Sequence, residues 1–425
     1  LNRFEREQGV PRLALVPTHA SRQRTERTLA SIGGKAPFGE SGAFDARTSL
    51  LVTSATLDDP RGELSLGTAR LRLAGERVTQ ELGARFAVSD AVLLRLAFDG
   101  GPERLRRYEG TGGSADAAAL DARRVSARVA ALAEARVLAN VAVRPLVALE
   151  CHDTAASTAT LALEDEAGAE SGCDELEPTG RLGILGEFGE LTAFAAAGRY
   201  VRVPALGELY GTSAVVRGNP RLESETGTTI DAGARFTHRL DGELAPLWAA
   251  ASAYTRTSSE LVSFVRTAQG YVVPLNVGEA RVTGIEVEFG VGFLRHFSFD
   301  AAVTGLDARD RTPDRQRKND VLPFRSRLVV ASTLRATTGP TGLVWAEELR
   351  LAARHLYQSS RYADLAGLAV IPEQHALDLE ASLSALDGGA LLSARLVNVF
   401  DAPRYDVVGF PLPGRSLFVS LEGRP

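Results

Sequence analysis

Apolar and polar residues alternate in segment after segment of this chain, over runs longer than an ordinary strand, and this constrains the fold more than any other feature. From Leu322 to Arg335 one parity carries Leu322, Phe324, Leu328, Val330 and Leu334, and the other carries Arg325, Arg327, Thr333 and Arg335. Leu343, Trp345, Leu349 and Leu351 oppose Glu348, Arg350 and Arg354; Leu377, Leu379, Ala381 and Leu383 oppose Asp378, Glu380, Ser382 and Ser384. Upstream, Ile230, Ala232, Ala234 and Phe236 oppose Thr229, Asp231, Arg235 and Thr237, while Ile285, Val287, Phe289 and Val291 oppose Glu286 and Glu288. Successive side chains of a strand point to opposite faces, so each segment has an oily side and an ionic side.

Such a strand fits the half-buried sheet of a soluble sandwich, or a barrel wall with lipid on one side and an enclosed lumen on the other. Length separates the two. Soluble strands typically run about five or six residues, whereas a tilted strand needs about nine to eleven to cross a bilayer. The connections also alternate. Short ones carry turn residues: Gly186–Glu190, Arg239–Glu243, Ala336–Gly342 and Leu386–Ala390, with Asp-Gly and Gly-Gly where tight hairpins require them. Long ones lie between: Gly100–Leu120, Asp153–Glu177, Val203–Ser224, Leu306–Asp320, Tyr357–Pro372 and Asp401–Pro413. Outer-membrane barrels have short turns at one end and long loops at the other. The first third reads less cleanly, with strands expected over Arg22–Gly34, Phe44–Leu57, Gly62–Leu73, Arg77–Ser89 and Val92–Asp99. The pattern predicts an all-β fold, a large antiparallel transmembrane β-barrel of roughly seventeen strands, wide enough for a filled or plugged lumen.

Composition excludes several alternatives. With 44% hydrophobic and 24% charged residues the chain looks soluble at first sight. It contains no run of about 18 apolar residues, so a helical span is ruled out and a membrane role must rest on strands. The 48 basic and 53 acidic residues are spread throughout, and no basic stripe points to nucleic acid. Leu1–Val10 has neither the apolar core nor the cleavage site of an export signal. His19, His152, His238, His296, His355 and His375 are scattered without metal-site spacing, and no phosphate loop or nucleophile elbow occurs, so no enzyme activity and no resident cofactor are expected.

Cys151 and Cys173 flank a polar, acidic segment, a placement that suits a loop disulfide in an exported protein; two free thiols are the plain alternative. Asp153, Glu164, Asp165 and Glu166 begin an acidic run that could hold calcium, though dense carboxylates on a long loop are usually just solvated. Basic clusters at Arg104, Arg106 and Arg107, and at Arg309, Arg311, Arg315, Arg317 and Lys318, fall on expected loops, where lipopolysaccharide phosphates or an anionic ligand could meet them.

Four motifs carry a family resemblance. Gly198–Gly211 (GRYVRVPALGELYG) and Gly218–Glu225 (GNPRLESE) are followed by Asn276–Glu288 (NVGEARVTGIEVE) and Leu396–Arg415 (LVNVFDAPRYDVVGFPLPGR). In this order they resemble the barrel of TonB-dependent outer-membrane receptors, over about half the chain, Arg181 to Pro425. The resemblance implies a barrel of about twenty-two strands when complete. It also implies energised uptake of a scarce ligand such as a ferric siderophore or cobalamin, and an upstream signal, TonB-binding segment and plug. On this reading residues 1–425 are a C-terminal portion of such a receptor, lacking the plug, in the outer membrane of a Gram-negative bacterium. Its partners would be the TonB–ExbB–ExbD complex, lipopolysaccharide and a metal chelate. Arg202, Tyr210, Arg217 and Tyr405 are the loop candidates for ligand contact, although barrel architecture and loop folding explain most motif residues as well. A passive porin-like channel and a soluble all-β interaction protein stay open as alternatives.

Overall fold

The computed structural model describes the chain except residues 1, 10–17, 40, 65–68, 111–118, 159–175, 213–215, 240–246, 268–271, 295, 314–320, 343–345, 365–366, 387, 408–409 and 424–425. The described residues form an antiparallel sheet of 18 strands, three two-stranded loop ribbons and one short helix. No described helix is long and apolar enough to cross a membrane. The chain divides into two compact units: residues 1–184, 196–229 and 257–280, and residues 185–195, 230–256 and 281–425.

The first unit opens with a meander in which each strand pairs with the next. Its members are β1 (Asn2–Gly9), β2 (Arg22–Phe38), β3 (Gly42–Asp59), β4 (Ala69–Ser89), β5 (Val92–Gly110), β6 (Leu120–Leu138) and β7 (Val141–Thr158). Then follow β8 (Glu177–Phe188), β9 (Leu191–Arg202), β10 (Glu225–His238) and β11 (Leu247–Ser259), each divided between the two units, with helix α1 (Leu206–Tyr210) in the first. A loop ribbon of β12 (Val262–Arg266) and β13 (Val272–Asn276) completes the first unit.

In the second unit β14 (Ala280–Phe293), β15 (Phe297–Asp310), β16 (Leu328–Thr337) and β17 (Glu348–Gln358) precede a small ribbon of β18 (Arg361–Tyr362) and β19 (Val370–Ile371). After β20 (Gln374–Ala385) and β21 (Ala390–Val397) comes a second ribbon, β22 (Tyr405–Val407) with β23 (Phe410–Pro411), and last β24 (Ser416–Gly423). Pairing runs β15 to β16, β17, β20, β21 and β24. The expected alternation of connections holds. Residues 90–91, 139–140 and 189–190 make short turns and only four residues separate β20 from β21, while the connections from β9 to β10, β11 to β14, β17 to β20 and β21 to β24 are long and carry α1 and the ribbons.

Register assigns the side chains of β2–β7 and of β15–β24 to faces. On the second unit one face presents Leu334, Leu351, Leu379, Leu392, Leu417, Val419 and Leu421, all exposed. The other face presents Asp300, Arg335, Arg354, Asp378, Glu380 and Arg395. On the first unit Ile32, Leu50, Val52, Val78, Leu96, Val129, Val147 and Leu149 share the exposed apolar face. Its opposite face carries Arg47, Glu81, Asp99, Arg128 and Glu150. Rows of exposed Leu and Val backed by ionic rows are what lipid on one side and water on the other demand. Rings edge the apolar face of each unit beside its short turns, Phe38 by Phe86 at 6.4 Å in the first and Phe293 by Phe297 at 5.6 Å in the second; beside a long loop of the second unit Tyr357 lies on His375 at 4.8 Å.

Three expectations need correction. Gly62–Leu73 and Arg77–Ser89 are not two strands: Ala69–Leu73 and Arg77–Ser89 belong to the single strand β4, which pairs with β3 from Ala69 to Phe86 without a break. Gly75 is there because a Cβ would lie 2.5 Å from Thr53 Oγ1, a close approach that reads in sequence like a turn. Gly100–Leu120 is only partly loop, since β5 continues to Gly110. A Cβ on Gly100 would meet the Ser126 carbonyl at 2.3 Å, and one on Gly101 the Val78 carbonyl at 2.3 Å, so these glycines serve strand packing. Leu322–Arg335 becomes a strand only from Leu328: Pro323 cannot donate to a ladder, and Phe324 takes φ 58°.

Candidate functional site

The best-built feature above the sheet is the long-loop end of the first unit, where α1 rests on the ionic face of β5 and β6. Leu206, Leu209 and Tyr210 of the helix join Leu120, Ala122 and Leu222 in a buried cluster flanked by Leu105 and Val262. Leu105 and Ala122 are register partners, as are Arg107 and Leu120, so this packing covers one side of the two strands. Five residues are too few for a stable helix in isolation, and tertiary anchors hold it. The Glu208 carboxylate accepts the Ala205 N–H at 2.8 Å and pairs with Arg202, closing the first turn.

Two arginines of the sheet grip the ends of this segment. Arg124 donates to the Pro204 carbonyl at 2.7 Å and to Thr154 Oγ1 at 2.8 Å. Arg107 donates to the Tyr210 carbonyl at 2.8 Å, at the helix C-terminus, where a cation also suits the helix dipole. Burial pushes the Tyr210 hydroxyl above its ordinary value.

The motif asparagines lock the next two loops together. Asn219 donates through its N–H to the Glu208 carbonyl at 2.9 Å and through Nδ2 to the Pro274 carbonyl at 3.1 Å. Asn276 accepts the Glu223 N–H at 3.0 Å and donates to the Glu223 carbonyl at 3.1 Å and the Glu260 carbonyl at 2.7 Å. Glu225 accepts from the Tyr200 hydroxyl at 2.8 Å. Gly218 lets the loop fold back, since a Cβ there would lie 2.4 Å from the Leu209 carbonyl. These motif positions build the loop architecture that carries the site.

Of the candidate ligand contacts, Arg202 and Tyr210 are engaged in this scaffold, while Arg217 is exposed and its N–H pairs with the Val272 carbonyl at 2.9 Å. Tyr405 lies in the second unit, where its backbone is held by Gln374 at 2.8 and 3.0 Å and by Arg361 at 2.6 Å. Asp153 is exposed on β7; Glu164, Asp165, Glu166 and Cys173 lie outside the described residues. Among the described residues no group of three or more metal-ligating side chains converges. The arginine clusters are re-placed: Arg104, Arg106 and Arg107 are on β5, not in a loop, and Arg309 is on β15, while Arg315, Arg317 and Lys318 lie outside the described residues.

Sequence reasoning missed the ionic face as a connected feature. Arg128 bridges Asp99 at 3.5 Å and Glu150 at 3.0 Å across three strands. In the second unit Arg354 pairs with Glu380 and Arg395 with Asp378, beside a recess of about 660 Å³ lined by Ser298, Arg335, Glu348 and Arg350. The polar parity of each strand was visible in the sequence, but only pairing register shows which charges meet.

Residues 177–399, just over half of the chain, match the family described as TonB dependent receptor-like, beta-barrel. The chain belongs to the TonB-dependent receptors. No curated protein matches the sequence. Solved receptors share the fold: the copper transporter OprC (TM-score 0.75, 15% identity, 95% of this chain and 66% of that one) and BauA, the ferric preacinetobactin receptor of Acinetobacter baumannii (0.70, 12%, 94% and 63%). The ferric citrate transporter FecA aligns similarly (0.66, 15%, 94% and 61%). This chain spans just under two thirds of their lengths. The receptor is thus a large antiparallel transmembrane β-barrel, and its family is one of the outer membrane; of the four motifs that carried the resemblance, the first three build α1 and the loops around it, and the fourth holds a loop of the second unit.

Proposed function

We propose that this receptor imports a scarce metal chelate, such as a ferric siderophore, across the outer membrane with energy delivered by the TonB–ExbB–ExbD complex. The observation that carries this reading is, in each unit, an ionic face behind an exposed apolar one, with Arg128 held between Asp99 and Glu150 in the first and matched acid–base pairs in the second. A polar wall of both signs suits passage of a large hydrated, charged cargo. The long-loop end, with its anchored α1 segment, is the side at which ligand arrives. The solved relatives carry copper, ferric preacinetobactin and ferric citrate by name, which favours a metal or its chelate over cobalamin as cargo.

The test is uptake of radio-iron chelates by cells that express the gene and lack their own receptors. Uptake is expected for at least one chelate, to be abolished by a protonophore and by loss of TonB. Uptake that survives both treatments would show a passive channel instead.

A further inference from the structure

Parity leaves one property of these strands open, their register. A slip of one residue turns every oily side chain inward, whereas a slip of two keeps the faces and changes only the partners. Tight turns fix the register of the hairpins they close. The long connections from β9 to β10 and from β11 to β14, which carry α1 and the β12–β13 ribbon, impose no such constraint.

Both strand pairs hold the same device. On β9 Phe194 and Tyr200 stand six residues apart, and on β10 so do Gly227 and Gly233. On β11 Trp248 and Tyr254 have that spacing, and on β14 so do Gly284 and Gly290. The glycines share the parity of Asp231 and Arg235 on β10 and of Glu286 and Glu288 on β14. Each ring lies across a glycine of the paired strand. In the second unit a Cβ on Gly233 would stand 2.9 Å from Phe194 Cε1, one on Gly284 2.8 Å from Tyr254 Cε1, and one on Gly290 2.6 Å from Trp248 Cε2. In the first, a Cβ on Gly227 would stand 2.8 Å from Tyr200 Cε1. Two of the rings are tied further, Trp248 by the Arg235 guanidinium 4.8 Å from its centroid and Tyr200 by a hydroxyl that donates to Glu225 at 2.8 Å. A ring laid over glycine shields backbone that the glycine leaves bare.

Two rings and two glycines of equal spacing match in a single register. Slipping β9 by two residues sets Phe194 against Asp231 or Arg235, and Tyr200 against Thr229 or Glu225. Slipping β11 sets Tyr254 against Val282 or Glu286. Each of these residues has a Cβ where the ring must lie.

We propose that the paired aromatic–glycine contacts set the register of β9 on β10 and of β11 on β14, and through it position α1 and the β12–β13 ribbon. The loops depend on that register. Asn219, ahead of β10, donates its N–H to the Glu208 carbonyl beyond β9 at 2.9 Å; Asn276, ahead of β14, donates Nδ2 to the Glu260 carbonyl beyond β11 at 2.7 Å. A two-residue slip displaces one partner by about 7 Å, and neither bond survives it. The four aromatic side chains are thus positioning residues for the long-loop end.

The test reads register in the full chain refolded into lipid vesicles, in a background without native cysteines. Thr255 and Thr283 face each other across β11 and β14 with their hydroxyls 3.2 Å apart. Thr255→Cys with Thr283→Cys should oxidise to a disulfide; Thr255→Cys with Arg281→Cys or with Ile285→Cys, which report a slip of two, should not. In W248L/Y254L the slipped pairs should form about tenfold more readily. The Val277 amide, bonded to the Leu261 carbonyl at 2.8 Å, should lose protection in the same variant. W248F/Y254F keeps both rings and should restore the native pattern. The native pair alone in W248L/Y254L overturns the proposal, and so does a slip that W248F/Y254F shares. Should the double variant not fold, Tyr254→Leu is read in the same way: a slipped pair supports the proposal and the native pair alone overturns it.

Discussion

Arg124 reaches from β6 to the Pro204 carbonyl, 2.7 Å away, so a side chain of the barrel wall holds the loop that carries α1. Replacing it as Arg124→Leu orphans that carbonyl and Thr154 Oγ1, at about 1–3 kcal/mol for each buried group. Amide exchange over residues 205–211 should accelerate at least tenfold, with the strands of the meander unaffected. Uniform acceleration through β6 would show instead that Arg124 holds the wall and not the loop.

Glu63 gathers the backbone N–H groups of His19, Ala20 and Ser21, at 3.0, 2.9 and 3.0 Å, and these bonds lower its pKa from 4.5 to about 2. A lowered folded-state value stabilises the loop pair fully above the ordinary carboxylate value, and that stabilisation disappears as pH falls through about 2. A nitroxide at His19 should therefore gain mobility between about pH 4.5 and 2. In Glu63→Gln it should be mobile throughout, with a flat profile.

Adjacent alanines give a matched comparison of the two faces. Ala353 sits on the apolar face between Leu334 and Leu379; Ala352 faces inward between Arg335 and Glu380. An arginine at position 353 should cost about 2–4 kcal/mol in a bilayer, whereas at position 352 it has Glu380 beside it and should cost far less. Urea unfolding from vesicles of the two variants measures the difference.

The Cys151–Cys173 bridge is expected to be formed in the exported protein. Closing a loop of that length constrains the unfolded chain by about 3 kcal/mol. Thiol counting under denaturing conditions should find no free thiols before reduction and two after; two before reduction would dismiss the bridge.

The wall was legible because its chemistry is local: parity alone reveals that Leu349 and Leu351 share a side opposite Glu348 and Arg350, whatever the fold. Loop lengths added the order of turns. What parity could not reveal was where strands end. Gly75, Gly100 and Gly101 resemble breaks, yet they exist for close approach of neighbouring strands, so β4 and β5 run further than expected and carry Arg104 and Arg106 with them. The motif residues were visible as a pattern, but the work of Asn219 and Asn276 depends on partners some 50 residues away and is invisible without pairing. The ribbon β12–β13 was missed for the same reason, being short and set inside a loop.

A nitroxide scan along β17 in lipid vesicles, in a background without native cysteines, tests the central claim most directly. Labels at Leu349, Leu351, Ala353 and Tyr357 should collide with oxygen dissolved in the bilayer, and labels at Arg350, Ala352 and Arg354 with a water-soluble nickel complex. The two accessibilities should alternate out of phase with a period of two residues. In-phase accessibility, or labels at Leu351 and Ala353 that meet neither reagent, would contradict a wall with lipid on one side and water on the other.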